Sequence, residues 1–185
     1  KKKSRYRKKN YLNIVSVGRL TNQKDHLTLL KSIKLIKPNI KIKLNIIGKG
    51  QNKRLLQNFI VQNKLQNRIK LKGYLNNPFH YIYESDIVVL TSTFEGLPNI
   101  LLEAQYLKKY IISTNCSTGP KEILLNGKAG DLIKIGDYRK LSFLICNYFK
   151  RKKLINSMIK VGTKNFYRFD YNSNCKKYLD FVSKN

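Results

Sequence analysis

A regular alternation of short β-branched runs with longer amphipathic stretches limits the fold of this chain more than any other feature. Leu12–Val17 (LNIVSV), Lys43–Ile47 (KLNII), Ile69–Lys72, Ile87–Leu90 (IVVL), Tyr110–Thr114 (YIIST) and a weaker run, Leu132–Ile135, have the length and residue types of buried strands. Between them the apolar period lengthens to that of a helix. Asp25 is placed to cap a helix carrying Leu27, Leu29, Leu30, Ile33 and Ile36, which stops before Pro38. Further helices are expected over about 52–63, near 79–84, over 99–107 and 138–150, with a helical turn at 120–125. Residues 151–184 read as helical with a break around 169–172.

Strands of this kind cannot leave a face in water, so helices must cover both sides. Right-handed crossovers then give an α/β fold, a doubly wound parallel sheet of Rossmann type in a single domain. The expected organisation is a basic arm or linker at 1–10, the sheet domain at 11–165 and a helical tail at 166–185.

Such a sheet binds ligands beyond the carboxyl ends of its strands, and the unusual residues fall there. One segment is Glu95-Gly96-Leu97-Pro98-Asn99, running into a helix that carries Glu103. Gly96 lets backbone approach a ligand, Pro98 suits a first helical turn, and the free N–H groups of the helix start favour an anion. Glu103 lies about two turns along, within about a quarter turn of the same face, among apolar neighbours. From spacing alone, a plain strand-turn-helix connection with a solvated Glu remains open. The second segment is Gly18-Arg19-Leu20-Thr21-Asn22-Gln23-Lys24-Asp25. Arg19 and Lys24 flank one loop and can aim at one diphosphate, although in so basic a chain they can equally be solvated surface.

In order, VGRL…QKD, IIGKG, LKGYL, SDIVVLTSTFEGLPNILLEA and STGPKEIL…GKAGDL resemble the donor-binding domain of family 4 glycosyltransferases, over about residues 11–150. The resemblance implies the C-terminal half of a GT-B fold and retaining transfer from a UDP- or GDP-sugar to a glycan or lipid-linked acceptor in cell-surface polysaccharide synthesis. It implies that Arg19 and Lys24 grip the diphosphate and stabilise its leaving charge. Glu95 then sits by the donor sugar, Leu97, Pro98 and Asn99 add backbone donors, and Glu103 accepts from the ribose hydroxyls. Gly18, Gly48, Gly73 and Tyr74 border the nucleotide, with Tyr74 a stacking candidate for the base. No metal or other cofactor is implied. The chain lacks an Asp-x-Asp pair, His26 and His80 stand alone, and its cations suffice to neutralise a leaving diphosphate.

The family places its acceptor on a preceding domain. The expectation is therefore a fragment, a truncated product or one subunit of a split enzyme, inactive alone, whose tail exposes Tyr178, Phe181 and Val182. Charge adds a second expectation. The 38 Lys and Arg against 10 Asp and Glu leave +28, with clusters at Lys1–Lys9 and Lys150–Lys153. Codon drift towards Lys, Asn and Ile explains part of the excess; the remainder suits an anionic membrane surface better than nucleic acid. A non-catalytic polyanion or nucleic-acid module, and an epimerase of similar architecture, are the competing readings. No apolar run of about 18 residues spans a membrane, and no apolar segment follows the basic start as a secretory leader would require. Three cysteines without metal spacing suit a reduced, cytoplasmic chain, with peripheral attachment at the inner membrane face.

Overall fold

The computed structural model describes residues 11–182. The expected basic arm at 1–10 lies outside them, as do the side chains of Tyr178, Phe181 and Val182. Six strands form one all-parallel sheet: β1 (Leu12–Val17), β2 (Ile42–Ile47), β3 (Ile69–Gly73), β4 (Ile87–Leu90), β5 (Tyr110–Thr114) and β6 (Asp131–Ile133). Their spatial order is β3-β2-β1-β4-β5-β6, so the chain winds outward from β1, returns to the middle and winds outward again.

The helices are α1 (His26–Leu35), α2 (Lys53–Gln62), α3 (Phe79–Glu84), α4 (Asn99–Tyr106), α5 (Gly119–Ile123), α6 (Tyr138–Cys146), α7 (Lys152–Lys164) and α8 (Tyr171–Val182). Strand side chains alternate between two cores. Ile14, Leu44, Ile87 and Ile112 pack with Leu29, Ile33, Leu56, Leu141 and Leu144 from α1, α2 and α6. Val15, Ile47, Val88 and Ile111 pack with Ile82, Leu101, Ala104 and Ile123 from α3, α4 and α5. Both faces are covered, as fully apolar parallel strands require.

Four local expectations shift. Pro98 is not in the first turn of α4. It stands just before it, with an extended ψ of 102°, and the helix starts at Asn99. The helix expected over 138–150 ends at Cys146, where the chain turns towards Arg151. The break expected around 169–172 comes earlier, as a 3-10 turn over Phe166–Phe169, and Asp170 then accepts from the Ser173 N–H at 2.8 Å to begin α8. Finally, Lys150–Lys153 do not present four solvated cations. Arg151 turns inward, its Nη2 donating to both Asp131 oxygens at 2.9 Å and its Nη1 to the Tyr110 hydroxyl at 3.0 Å. Lys150, Lys152 and Lys153 remain exposed.

Candidate functional site at the carboxyl edge of the sheet

Beyond β1 and β4 the crossovers depart in opposite directions, which opens a crevice at the topological switch. Two loops meet there, 18–25 after β1 and 91–98 after β4. Thr91 Oγ1 donates to Lys24 O at 3.1 Å, Thr93 N to Gln23 O at 2.8 Å, and Gln23 Nε2 to Phe94 O at 3.0 Å. Residues some 70 positions apart in sequence are thereby sewn into one wall.

At its centre Lys24 Nζ forms an ion pair with Glu95 Oε1. Ser92 Oγ donates to the same oxygen at 2.5 Å. Both charged side chains are largely buried, 16% exposed for Lys24 and 8% for Glu95. Two donors on Oε1 leave Oε2 as the accepting atom of the carboxylate. Arg19, one residue beyond Gly18, is exposed, and its guanidinium has no hydrogen-bond or ion-pair partner among the described residues.

Next to this pair α4 begins without a side-chain cap. Its first N–H groups therefore remain available to an anion. Gly96 and Leu97 are exposed at the rim, Pro98 is buried and Asn99 is exposed. Glu103, on the second turn of α4, is half-buried, and its carboxylate has no partner among the described residues. Burial alone pushes its carboxyl above the ordinary range. A partly desolvated carboxylate without a donor is an acceptor held ready for one.

On the other side the ends of β1, β2 and β3 line up. Gly18 N donates to Ile47 O at 2.9 Å and Gly48 N to Gly73 O at 2.8 Å. Gly48 has φ 150°, and a Cβ there would lie 1.9 Å from Gly18 O. Only glycine closes the edge at that point. Tyr74 follows Gly73 and is 62% exposed, with Lys49 Nζ 5.2 Å from its ring centroid.

Lys24 and Glu95 are thus joined by a direct ion pair, and the chain runs on from Glu95 through Gly96–Pro98 into α4. Gly18, Gly48 and Gly73 form the neighbouring edge that carries Tyr74. The side chains of Arg19, on the loop after β1, and of Glu103, on the second turn of α4, touch no charged partner among the described residues. Sequence reasoning missed Gln23, Ser92, Thr118 and Gly119. Thr118 Oγ1 donates to Glu95 O at 2.5 Å and Gly119 N to Gly96 O at 2.9 Å, which ties the start of α5 to the same loop. Ser92-x-x-Glu95 has the spacing of a helix-capping box, yet here the two side chains bond each other and the helix begins four residues after Glu95.

Comparison with known proteins gives a consistent result. The family model described as glycosyl transferases group 1 matches residues 1–165. An uncharacterized glycosyltransferase of Methanocaldococcus jannaschii is 43% identical over 113 residues, 60% of this chain and 27% of that protein. A Campylobacter jejuni 4-alpha-N-acetylgalactosaminyltransferase, named for a diphospho-undecaprenol substrate, is 30% identical over 122 residues, 66% of this chain and 33% of that protein. The chain therefore spans a third or less of these curated relatives. Among solved structures, Anabaena HepE in complex with UDP superposes with a TM-score of 0.86 at 18% identity, covering 95% of this chain and 50% of that one. Staphylococcus aureus TarM with UDP gives 0.84 at 22% identity, covering 93% and 35%. At such identity these two establish a shared fold.

Proposed function

The chain belongs to the group 1 glycosyl transferases, and on that premise we propose that its β1/β4 crevice binds the nucleotide diphosphate of a sugar donor. The observation that carries this reading is the Lys24–Glu95 ion pair, four residues before the uncapped start of α4, with the side chains of Arg19 and Glu103 on the same two segments unpartnered among the described residues. Lys24, Arg19 and the helix N–H groups neutralise the diphosphate as it departs, without a metal. Glu95 Oε2 accepts from a sugar hydroxyl, Glu103 accepts from the ribose, and the exposed ring of Tyr74 borders the base. Complexes with UDP among structures of the same fold favour UDP over GDP.

The reaction is retaining transfer to a glycan or lipid-linked acceptor in surface-polysaccharide synthesis, a setting named in relatives for capsule and amylovoran synthesis. The acceptor half lies on a domain or subunit outside these residues, in keeping with the half-length match to the solved HepE chain. The protein works at the inner membrane face. No helix among the described residues is long and apolar enough to cross a bilayer. Attachment draws on charge, through the 1–9 cluster with Lys150, Lys152 and Lys153, each well-placed cation worth about 1 kcal/mol. Equal sedimentation with neutral and acidic liposomes would refute attachment by charge.

The donor reading is tested by thermal unfolding against a panel of UDP- and GDP-sugars. One nucleotide should raise the melting temperature of the native chain, and Arg19→Ala and Glu103→Ala should each abolish that rise. A rise that survives both substitutions puts the site elsewhere.

A further inference from the structure

Among the described residues two buried side-chain polar atoms have no hydrogen-bond partner, Thr21 Oγ1 and His26 Nδ1. They are five residues apart, and both residues line one cavity of about 160 Å³, shared with Asp25 and with Asn52, Leu55 and Leu56 at the start of α2. Several of the other polar groups around it are committed to one another. Asn52 Nδ2 donates to Asn22 Oδ1 at 2.8 Å. The Asp25 carboxylate caps α1, accepting from Thr28 N at 3.2 Å and Thr28 Oγ1 at 2.6 Å.

Buried polar atoms are almost always satisfied, because leaving water without a replacement bond is costly. Two exceptions that share one cavity point to a common ligand there. A single water needs only about 10–15 Å³ of such space, so room is ample. We propose that this cavity holds bound water bridging Thr21 to His26 Nδ1, and that His26 acts through it as a positioning residue for Lys24.

The second half follows from the turn itself. Lys24 is carried between the two bridged residues. Its N–H reaches Thr21 O at 3.2 Å, Asp25 N reaches Asn22 O at 3.2 Å, and Asp25 sits at φ 39°. A water joining the first residue of this turn to the residue after its last closes it into a ring. The imidazole suits the task because burial and the adjacent Lys24 charge hold it neutral, its pKa lowered to about 4. It thus keeps one donor and one acceptor nitrogen without adding a cation beside Lys24.

The positioning role rests on the donor-site reading; the water site does not. The water is tested on the full chain with nitrogen-15 histidine by NMR. A hydrogen-bonded Nδ1 resonance and a magnetisation transfer from long-lived water to the His26 ring, both altered in Thr21→Val, are expected. Their absence, or indifference to Thr21→Val, overturns the site. Positioning is tested by titrating UDP and uridine, since only UDP carries the phosphates Lys24 would touch. Thr21→Val and His26→Leu should weaken UDP about tenfold, the effect of one misaimed charged hydrogen bond, and leave uridine unchanged. His26→Gln, which keeps polar atoms on the side chain, should restore most of the loss. Equal weakening of both ligands, or of neither, overturns the positioning role. A native chain that binds UDP no better than uridine overturns the donor-site reading, and with it the positioning role; the NMR signals still decide the water.

Discussion

Gly119 lies so close to Gly96 that a Cβ at position 119 would stand 1.9 Å from the Gly96 carbonyl oxygen and 2.6 Å from Pro98 Cδ. The start of α5 therefore sets the position from which α4 starts. Gly119→Ala must push backbone against backbone, at a cost of about 1–3 kcal/mol, and should lower both the melting temperature and UDP affinity. Gly96→Ala separates the two effects. Its Cβ would meet nothing within 4 Å, so the free chain should melt as the native protein does. If the nucleotide packs against Gly96, the UDP-induced rise alone disappears. Thermal unfolding with and without UDP distinguishes the pair.

The sheet was legible because buried parallel strands demand a composition that little else does. Ile87–Leu90 and Tyr110–Thr114 could be bounded to the residue. The residues of the Lys24–Glu95 contact were legible too, but their partnership was not. Lys24 was expected to face a diphosphate alongside Arg19, and only the placement of β1 next to β4 brings it onto Glu95. The contacts of Gly119 and Thr118, within the STGPKEIL segment, were not legible for the same reason. Their partners lie over twenty residues away, and no local period marks them. Arg151 misled in the opposite sense. Among three lysines it reads as one more solvated cation, whereas Asp131 draws it inward.

Glu103 should show opposed demands of stability and binding. Its folded-state pKa is raised by desolvation from 4.5, so the folded chain holds this proton more tightly than the unfolded chain. Stability therefore falls as pH rises through and above 4.5. Glu103→Gln removes that loss: the variant should melt higher than the native chain at pH 7 and equally at pH well below 4.5. It should nevertheless lose about tenfold in UDP affinity, because a charged acceptor is replaced by a neutral one. Melting curves over pH, paired with UDP titrations, check both halves.

His26 has the reverse sign. It is 3% exposed and its pKa is lowered from 6.5 to about 4, by burial first and by Lys24 second. Below pH 6.5 the unfolded chain takes up a proton that the folded chain refuses. Stability is complete above 6.5, falls between 6.5 and about 4, and is flat in this group below that. The full loss is about 3 kcal/mol. His26→Gln should flatten the melting profile over this window, and an unchanged acid slope would assign the loss to other groups.

The Lys24–Glu95 pair makes the most stringent prediction, because it asks one contact to serve the free and the liganded protein. Lys24→Met leaves a carboxylate that is 8% exposed with Ser92 as its remaining donor, and should cost about 3 kcal/mol. Glu95→Gln strands an ammonium instead, one that can still reach solvent at 16% exposure, so its cost should be smaller. Combined, the two substitutions remove both charges, and the double variant should be more stable than the sum of the single losses implies, by about 1–3 kcal/mol. Salt should alter this coupling little, since screening acts weakly on a largely buried pair. UDP binding should not recover with stability: the double variant folds, yet lacks the ammonium proposed to meet the diphosphate. A double variant that regains both would reduce Lys24 to a structural counter-ion for Glu95.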